Sequence, residues 1–342
     1  MTLSGRLALT FDSALGSFRA LRHSQLRLHP TKALEVFLNR STCHSVRKVT
    51  LALCCALASA AAQAQSAPQP TALDALRGAS DQKLQAGIDR VVRKLDLEPA
   101  VVTGRLALAL VDLSEPSQPR LAMLNGDRMM YAASLPKIAI LLGAMVEAEL
   151  GRLPLNDRTL GAMTKMIRYS SNEDATRVLH WVGGERLIDI LQSPRFRFYD
   201  ARQGGGLWVG KAYGKDGAYH RDPVAKLSHG ATAYQVARFY TLLANDKLLS
   251  PPLNALMKET LSNPGIHHKF VKGLEARPGA RIYRKSGTWR DYHADSVLVE
   301  VGRHRYVLVG IAQHRDGGKW LVKLAPALHD LVVPRREVLA QH

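Results

Sequence analysis

Ser134-Leu135-Pro136-Lys137 is the tetrapeptide on which the reading of this chain turns. Two strand-like runs precede it, 104–113 and 120–125, and a helical pattern starts at Ser134 and continues to residue 150. Ser-x-x-Lys on a helix places a hydroxyl and an amine one turn apart on the same face. Pro136 suits a first helical turn, where its missing N–H costs nothing. Ser134 would meet the positive end of the helix dipole, which favours a developing negative charge. A lysine whose pKa is lowered by its surroundings can take the serine proton. Alone the tetrapeptide is a weak signal, since about one match per chain of this length arises by chance. Ser45-Val-Arg-Lys48 and Ser80-Asp-Gln-Lys83 also match, but neither opens a helix after a strand.

Outward from Ser134 the chain falls into three blocks. Residues 72–96 carry Leu73, Leu76, Leu84, Ile88, Val91, Val92 and Leu95 near helical spacing and lead into the two strands. The middle block is helical, with helices expected over 157–169, 172–181, 184–191, 232–243 and 252–261. It is interrupted by an irregular, glycine-rich stretch at 193–228, a length that usually marks a functional or mobile loop. The last block returns to strands at 281–289, 294–301 and 305–313 and closes with a helix over 319–331. Strands, helices and strands again imply an α/β chain of the α+β type. Its antiparallel sheet is built from the N- and C-terminal segments, flanked by helices, with a helical subdomain packed against it.

Two further motifs carry chemistry. Ser170-Ser171-Asn172 sits between two helical runs. A second hydroxyl there can relay a proton to a leaving nitrogen, and Asn172 can hydrogen-bond a substrate amide. The plainer reading is a helix N-cap formed by Ser171 or Asn172. Lys285-Ser286-Gly287-Thr288 falls late in an expected strand. It offers a cation for a substrate carboxylate, and Gly287 allows a backbone to come close. The N–H of Thr288 with that of Ser134 would make an oxyanion hole. The plainer reading here is an exposed strand end.

Ser-x-x-Lys at a helix start, Ser-x-Asn on a helix connection and Lys-Ser-Gly on a strand, in that order, resemble the motif set of penicillin-binding proteins and class A β-lactamases. The resemblance covers roughly residues 72–332. The runs 182–191 and 230–243 are also similar to family helices. It implies a β-lactamase/transpeptidase-like fold and a serine hydrolase that forms an acyl-enzyme on Ser134. By the same resemblance Lys137 is the base or proton partner, Ser170 the proton shuttle and Asn172 a substrate-amide ligand. Lys285 holds the shuttle hydroxyl and the substrate carboxylate, flanked by Ser286, Gly287 and Thr288. The substrate is then a β-lactam, or alternatively a D-alanyl-D-alanine wall peptide; a slow-turnover penicillin-binding or sensor module is a third alternative.

Three features depart from the family. The second motif has Ser171 where class A enzymes usually have Asp. The interval between Ser134 and Ser170 is short. The Glu-x-x-x-Asn of the family's Ω-loop, whose Glu positions the deacylating water, is absent. Asp200 and Asp222 are the candidates left for that role, and Arg290 is a candidate carboxylate holder.

Composition limits the alternatives. The histidines show no metal-site spacing, no glycine loop is followed by a phosphate-binding Lys-Ser/Thr, and no cofactor is implied. Residues 49–62, behind Arg47-Lys48 and ahead of Ala62-Gln63-Ala64, have the form of a secretory signal. We therefore expect an N-terminal extension at 1–45 arising from a mis-assigned start, a signal peptide at 46–64, a linker at 65–71 and a catalytic domain at 72–342. That arrangement gives a periplasmic protein with no membrane span once the signal is removed. All three cysteines fall at or before Cys55, so the exported chain has neither disulfide nor thiolate chemistry. Residues 1–64 hold eight Lys/Arg against two Asp/Glu, leaving +12 of the chain's +18 to the remainder. The positive charges are scattered and without an aromatic-basic module, so no nucleic-acid partner is expected. The expected partner is a small molecule, bound by a monomer.

Overall fold

The computed structural model describes residues 75–277 and 279–334. The expected extension, signal and linker lie outside these residues. After a 3₁₀ turn at Arg77–Ala79 the chain forms α1 (Gln82–Lys94), α2 (Glu98–Val102), β1 (Leu106–Asp112), β2 (Arg120–Leu124) and β3 (Met130–Tyr131). The helices α3 (Lys137–Glu149), α4 (Asp157–Arg168), α5 (Asn172–Val182) and α6 (Gly184–Gln192) follow. Short strands β4 (Tyr199–Asp200), β5 (Gly205–Gly206), β6 (Trp208–Val209) and β7 (His229–Ala231) organise the glycine-rich stretch. The chain then runs through α7 (Ala233–Ala244), α8 (Pro251–Leu261), α9 (Phe270–Leu274), β8 (Arg281–Trp289), β9 (Tyr292–Val301), β10 (His304–Gln313) and α10 (Gly317–Val332).

The main sheet has the order β2-β1-β10-β9-β8 and is antiparallel throughout. β1, from the first block, pairs with β10, from the last, so the two ends of the sequence do build one sheet. Every residue of β1 is buried because both faces are covered. Leu106, Leu108 and Leu110 pack with Leu84 and Ile88 of α1 and Leu321 and Leu324 of α10. Ala107, Ala109 and Val111 point the other way, into a core shared with α3 and α7. The period-2 alternation of a strand assigns the two sets to opposite faces.

α3 is the helix around which the second core forms. Lys137 to Glu147 is buried without interruption, so this helix has no solvent face over three turns. Asn156 and Thr159 form a capping box at α4, while Ser171 and Thr232 cap α5 and α7. Ser171 is thus the N-cap that the bland reading of the second motif foresaw.

Most boundaries shift by only a residue or two, and three features differ more from expectation. The helix expected over 72–96 starts at Gln82, because Asp81 is extended and its carboxylate caps the Leu84 N–H at 2.7 Å. The helix expected from Ser134 starts at Lys137. Residues 132–139 are joined by bonds three residues apart, and Ala133 is left-handed at φ 50°, so Ser134 lies in a tight turn three residues ahead of the helix. The stretch at 193–228 is less irregular than expected, since β4 pairs with β5 and β6 with β7.

Beneath the end of β8 lies a buried ion pair. Arg284 Nε and Nη2 donate to the two oxygens of Asp295 on β9 at 2.8 and 2.9 Å, and Arg284 Nη1 donates to the Ile266 carbonyl at 2.7 Å. Asp295 also accepts from the N–H groups of Phe270 and Ser296, each at 3.0 Å. The pair ties two strands to the segment that leads into α9. Asp295→Ala leaves Arg284 buried and unpaired, and we expect it to lower the unfolding free energy by about 3–5 kcal/mol. Urea unfolding measures this, and a loss under about 1 kcal/mol would contradict it.

Candidate active site

The three motifs meet at one hydroxyl. Ser170 connects α4 to α5 in a left-handed conformation, φ 57°, which is strained for a residue with a Cβ. Its Oγ accepts from Lys285 Nζ at 2.9 Å and stands 3.5 Å from Lys137 Nζ. Lys137 Nζ also donates to the Ser170 carbonyl and to Asn172 Oδ1, both at 2.7 Å. Lys285 Nζ donates to the Ser286 carbonyl at 2.6 Å. Lys137, Ser170, Asn172 and Lys285 are therefore one hydrogen-bonded cluster drawn from α3, α5, β8 and the link between α4 and α5.

Both lysines are buried, which is rare for this residue. Desolvation disfavours the ammonium and brings Lys137 down to about 7. Lys285 is pushed well below its ordinary value, first by burial and then by repulsion from Lys137. Lys137 is thus partly a neutral amine near pH 7. Because Asn172 Oδ1 is occupied by Lys137, its exposed amide keeps N–H donors for a carbonyl.

Ser134 joins the cluster through backbone geometry. A Cβ on Gly287 would lie 2.1 Å from the Ala132 carbonyl oxygen and 2.7 Å from the Ser134 nitrogen. Only glycine lets β8 lie this close to the turn that holds Ser134. Ser134 is half-buried, Ser286 is buried and Thr288 is exposed. Thr288 Oγ1 accepts from Lys269 Nζ at 2.7 Å.

Lys269 was not legible in the sequence. Its buried ammonium also donates to the carbonyls of Gly287 (2.5 Å) and Ala294 (3.1 Å), which pins the end of β8 against β9. Burial lowers it to about 8. It lies in an unremarkable His267-His268-Lys269 run, which the Arg284–Asp295 pair and the bonds of Lys269 itself hold under the strand. Tyr213 was also missed. Its ring centroid is 4.4 Å from Lys137 Nζ, and its hydroxyl donates to the Ala133 carbonyl at 3.1 Å.

The carboxylates proposed as substitutes lie elsewhere. Asp222 is buried, and its oxygens accept from the N–H groups of Val224, Ala225 and Leu227 and the hydroxyl of Tyr199. It closes its own loop. Asp200 accepts from the Arg202 N–H at 2.9 Å and pairs with Arg197 and Arg202. Arg290 lies exposed past the end of β8, its guanidinium 5.6 Å from the centre of the Trp289 ring.

A serine in a turn leading into a buried helix, packed against the strand that carries one of two buried lysines sharing a second hydroxyl, defines a serine hydrolase. The chain belongs to the beta-lactamase enzyme family, whose model matches residues 158–330, about half of its length. That match takes in Ser170, Asn172 and Lys285 and begins beyond Ser134. Among solved structures, a beta-lactamase from Sphaerobacter thermophilus shares 16% identity over 72% of this chain and 96% of its own, with a TM-score of 0.56. PBP-A shares 16% over 73% and 95%, at 0.54. A class A beta-lactamase from Bacteroides cellulosilyticus shares 10% over 77% and 100%, at 0.56. At these identities the likeness speaks for the fold. No curated protein sequence matches the chain.

The cluster predicts an unusual titration. An NMR titration of lysine side chains should show a resonance with a midpoint near 7, missing from Lys137→Arg. A chain in which every lysine titrates above about 9.5 would contradict the buried-amine geometry.

Proposed function

We propose that this chain is a periplasmic serine hydrolase that opens β-lactam amides through an acyl-enzyme on Ser134. The observation that carries the reading is Ser170 Oγ, placed between the nitrogens of two buried lysines. Neutral Lys137 takes the Ser134 proton as Oγ attacks the lactam carbonyl. The N–H groups of Ser134 and Thr288 hold the developing oxyanion. When the C–N bond breaks, Ser170 gives its proton to the leaving nitrogen and is resupplied from the lysine pair. Lys285, with Ser286 and Thr288, receives the substrate carboxylate beside Gly287, and Asn172 receives the side-chain amide. Water then releases the acyl group. The periplasmic assignment rests on the signal-like residues 47–64.

A second reading is favoured by Tyr213. Where a carboxylate would have to approach Lys137 to activate water, this chain places an aromatic ring. Nearby acidic groups are engaged elsewhere, Glu173 and Asp174 with Arg177 and Glu185 with His220. This supports slow release of the acyl group, as in a D-alanyl-D-alanine peptidase acting on peptidoglycan peptides or a penicillin-binding sensor.

Mixing the purified protein with a fluorescent penicillin should label Ser134, and Ser134→Ala should abolish the label. Labelling that survives Ser134→Ala, or none in the wild type, overturns the assignment. Turnover of a chromogenic cephalosporin separates the readings: rapid turnover supports the hydrolase, while a stable label with no turnover supports the second. The base must be neutral to act, so labelling should rise with pH through about 7 and level off above it. Lys137→Arg should slow labelling by at least about a hundredfold and remove that rise. Gly287→Val should also abolish labelling while far-UV circular dichroism is retained, because its side chain meets the Ser134 turn.

A further inference from the structure

Lys137 is fully buried, yet open space lies just beyond its partners. A cavity of about 520 Å³ has Asn172, Tyr213 and Trp289 in its wall, but not Lys137. Trp289 is 55% exposed, so water reaches this cavity. Two residues of the wall touch the Lys137 ammonium from the other side. Asn172 Oδ1 accepts from it at 2.7 Å, and the Tyr213 ring centre lies 4.4 Å from Nζ. Asn172 supplies a hydrogen bond, whereas Tyr213 supplies only a ring face. Tyr213 is itself held at the nucleophile. Its hydroxyl donates at 3.1 Å to the carbonyl of Ala133, the residue before Ser134. Ala133 is left-handed at φ 50°, a conformation that a residue with a Cβ keeps only when its surroundings support it. The His229 ring packs against Tyr213 with centroids 4.3 Å apart.

We infer that Tyr213 is a positioning residue for acylation: its hydroxyl fastens it to the turn that carries Ser134, and its ring keeps the water of the cavity from Lys137. The inference rests on the acyl-transfer reading of Ser134. A ring over an ammonium has two opposed effects. Its face attracts the cation, which favours the charged form by at most about one and a half pH units. Its bulk excludes water, which favours the neutral amine. Burial brings Lys137 from 10.5 to about 7, so the exclusion of water outweighs the attraction. The charged and titratable groups facing Lys137 from other elements do not reverse this. Lys285 of β8 repels it, and His229 of β7 is neutral at pH 7 because burial brings it down to about 4. On α5, Glu173 and Asp174 pair with Arg177.

Three variants separate ring from hydroxyl. In an NMR titration, Tyr213→Ala should raise the Lys137 midpoint by at least about one pH unit, because the cavity then opens onto the amine. Tyr213→Phe keeps the ring and should leave the midpoint near 7. Tyr213→Gln keeps much of the bulk but sets an amide oxygen beside the ammonium, so it should raise the midpoint too. It decides the matter if the Ala variant does not fold. Labelling by the fluorescent penicillin should follow the base. Tyr213→Phe should label at least about threefold more slowly than wild type, by the same factor at pH 7 and pH 9, because only the bond to Ala133 is lost. Tyr213→Ala should be at least about fivefold slower than Tyr213→Phe at pH 7 and within about twofold of it at pH 9. A purely structural role would slow labelling equally at both pH values. A midpoint that does not rise in the folded Ala or Gln variant, or that rises as far in Tyr213→Phe, overturns the inference. So does Tyr213→Phe labelling as fast as wild type, or a gap between the Ala and Phe variants that is the same at both pH values. The parent reading fails separately: wild-type protein that gains no covalent label on Ser134 does not use it as nucleophile, whatever the Lys137 midpoints show.

Discussion

Two lysine side chains share one hydroxyl inside this protein, and much of the structure is arranged to make that possible. A buried ammonium is disfavoured by several kcal/mol, and a second one beside it adds repulsion. The chain meets this by keeping Lys137 near neutrality and by surrounding both nitrogens with oxygen acceptors. Lys137 has the Ser170 carbonyl and Asn172 Oδ1, while Lys285 has Ser170 Oγ and the Ser286 carbonyl. The left-handed backbone at Ser170 is the strained element that presents both its carbonyl and its hydroxyl to this pair.

Rigidity around the cluster comes from layers that never touch a substrate. α3 is buried almost along its length, so Lys137 starts from a helix with no freedom to tilt. β8 is fixed by the Arg284–Asp295 pair below and by Lys269, which bonds the carbonyls of Gly287 and Ala294. A third lysine is thus buried near the site in a positioning role, aligning strand ends while the other two converge on Ser170.

The likeness to known beta-lactamases is broad in fold and thin in sequence, with 16% identity to the Sphaerobacter thermophilus protein. Two features of this chain lie on one side of the cleft. Tyr213 crosses over Lys137, and aromatic rings line the space beyond Asn172.

The sequence by itself determined the order of blocks, most helix and strand limits and the three motifs. These signals are local: Asp81, Asn156, Ser171 and Thr232 cap their own helices, and alternation within β1 separates its two faces. It also marked Ser134, Lys137, Ser170, Asn172 and Lys285 as a set, because their spacing resembled a known family. Only the tertiary structure placed Ser134 in a turn ahead of its helix, brought Lys269 beneath β8 and laid Tyr213 over Lys137. It also turned Asp200 and Asp222 to their own loops. Each of these depends on contacts between residues far apart in the chain, or on a carboxylate choosing among several donors. Composition and periodicity carry no record of such choices; packing makes them when the sheet closes on α3.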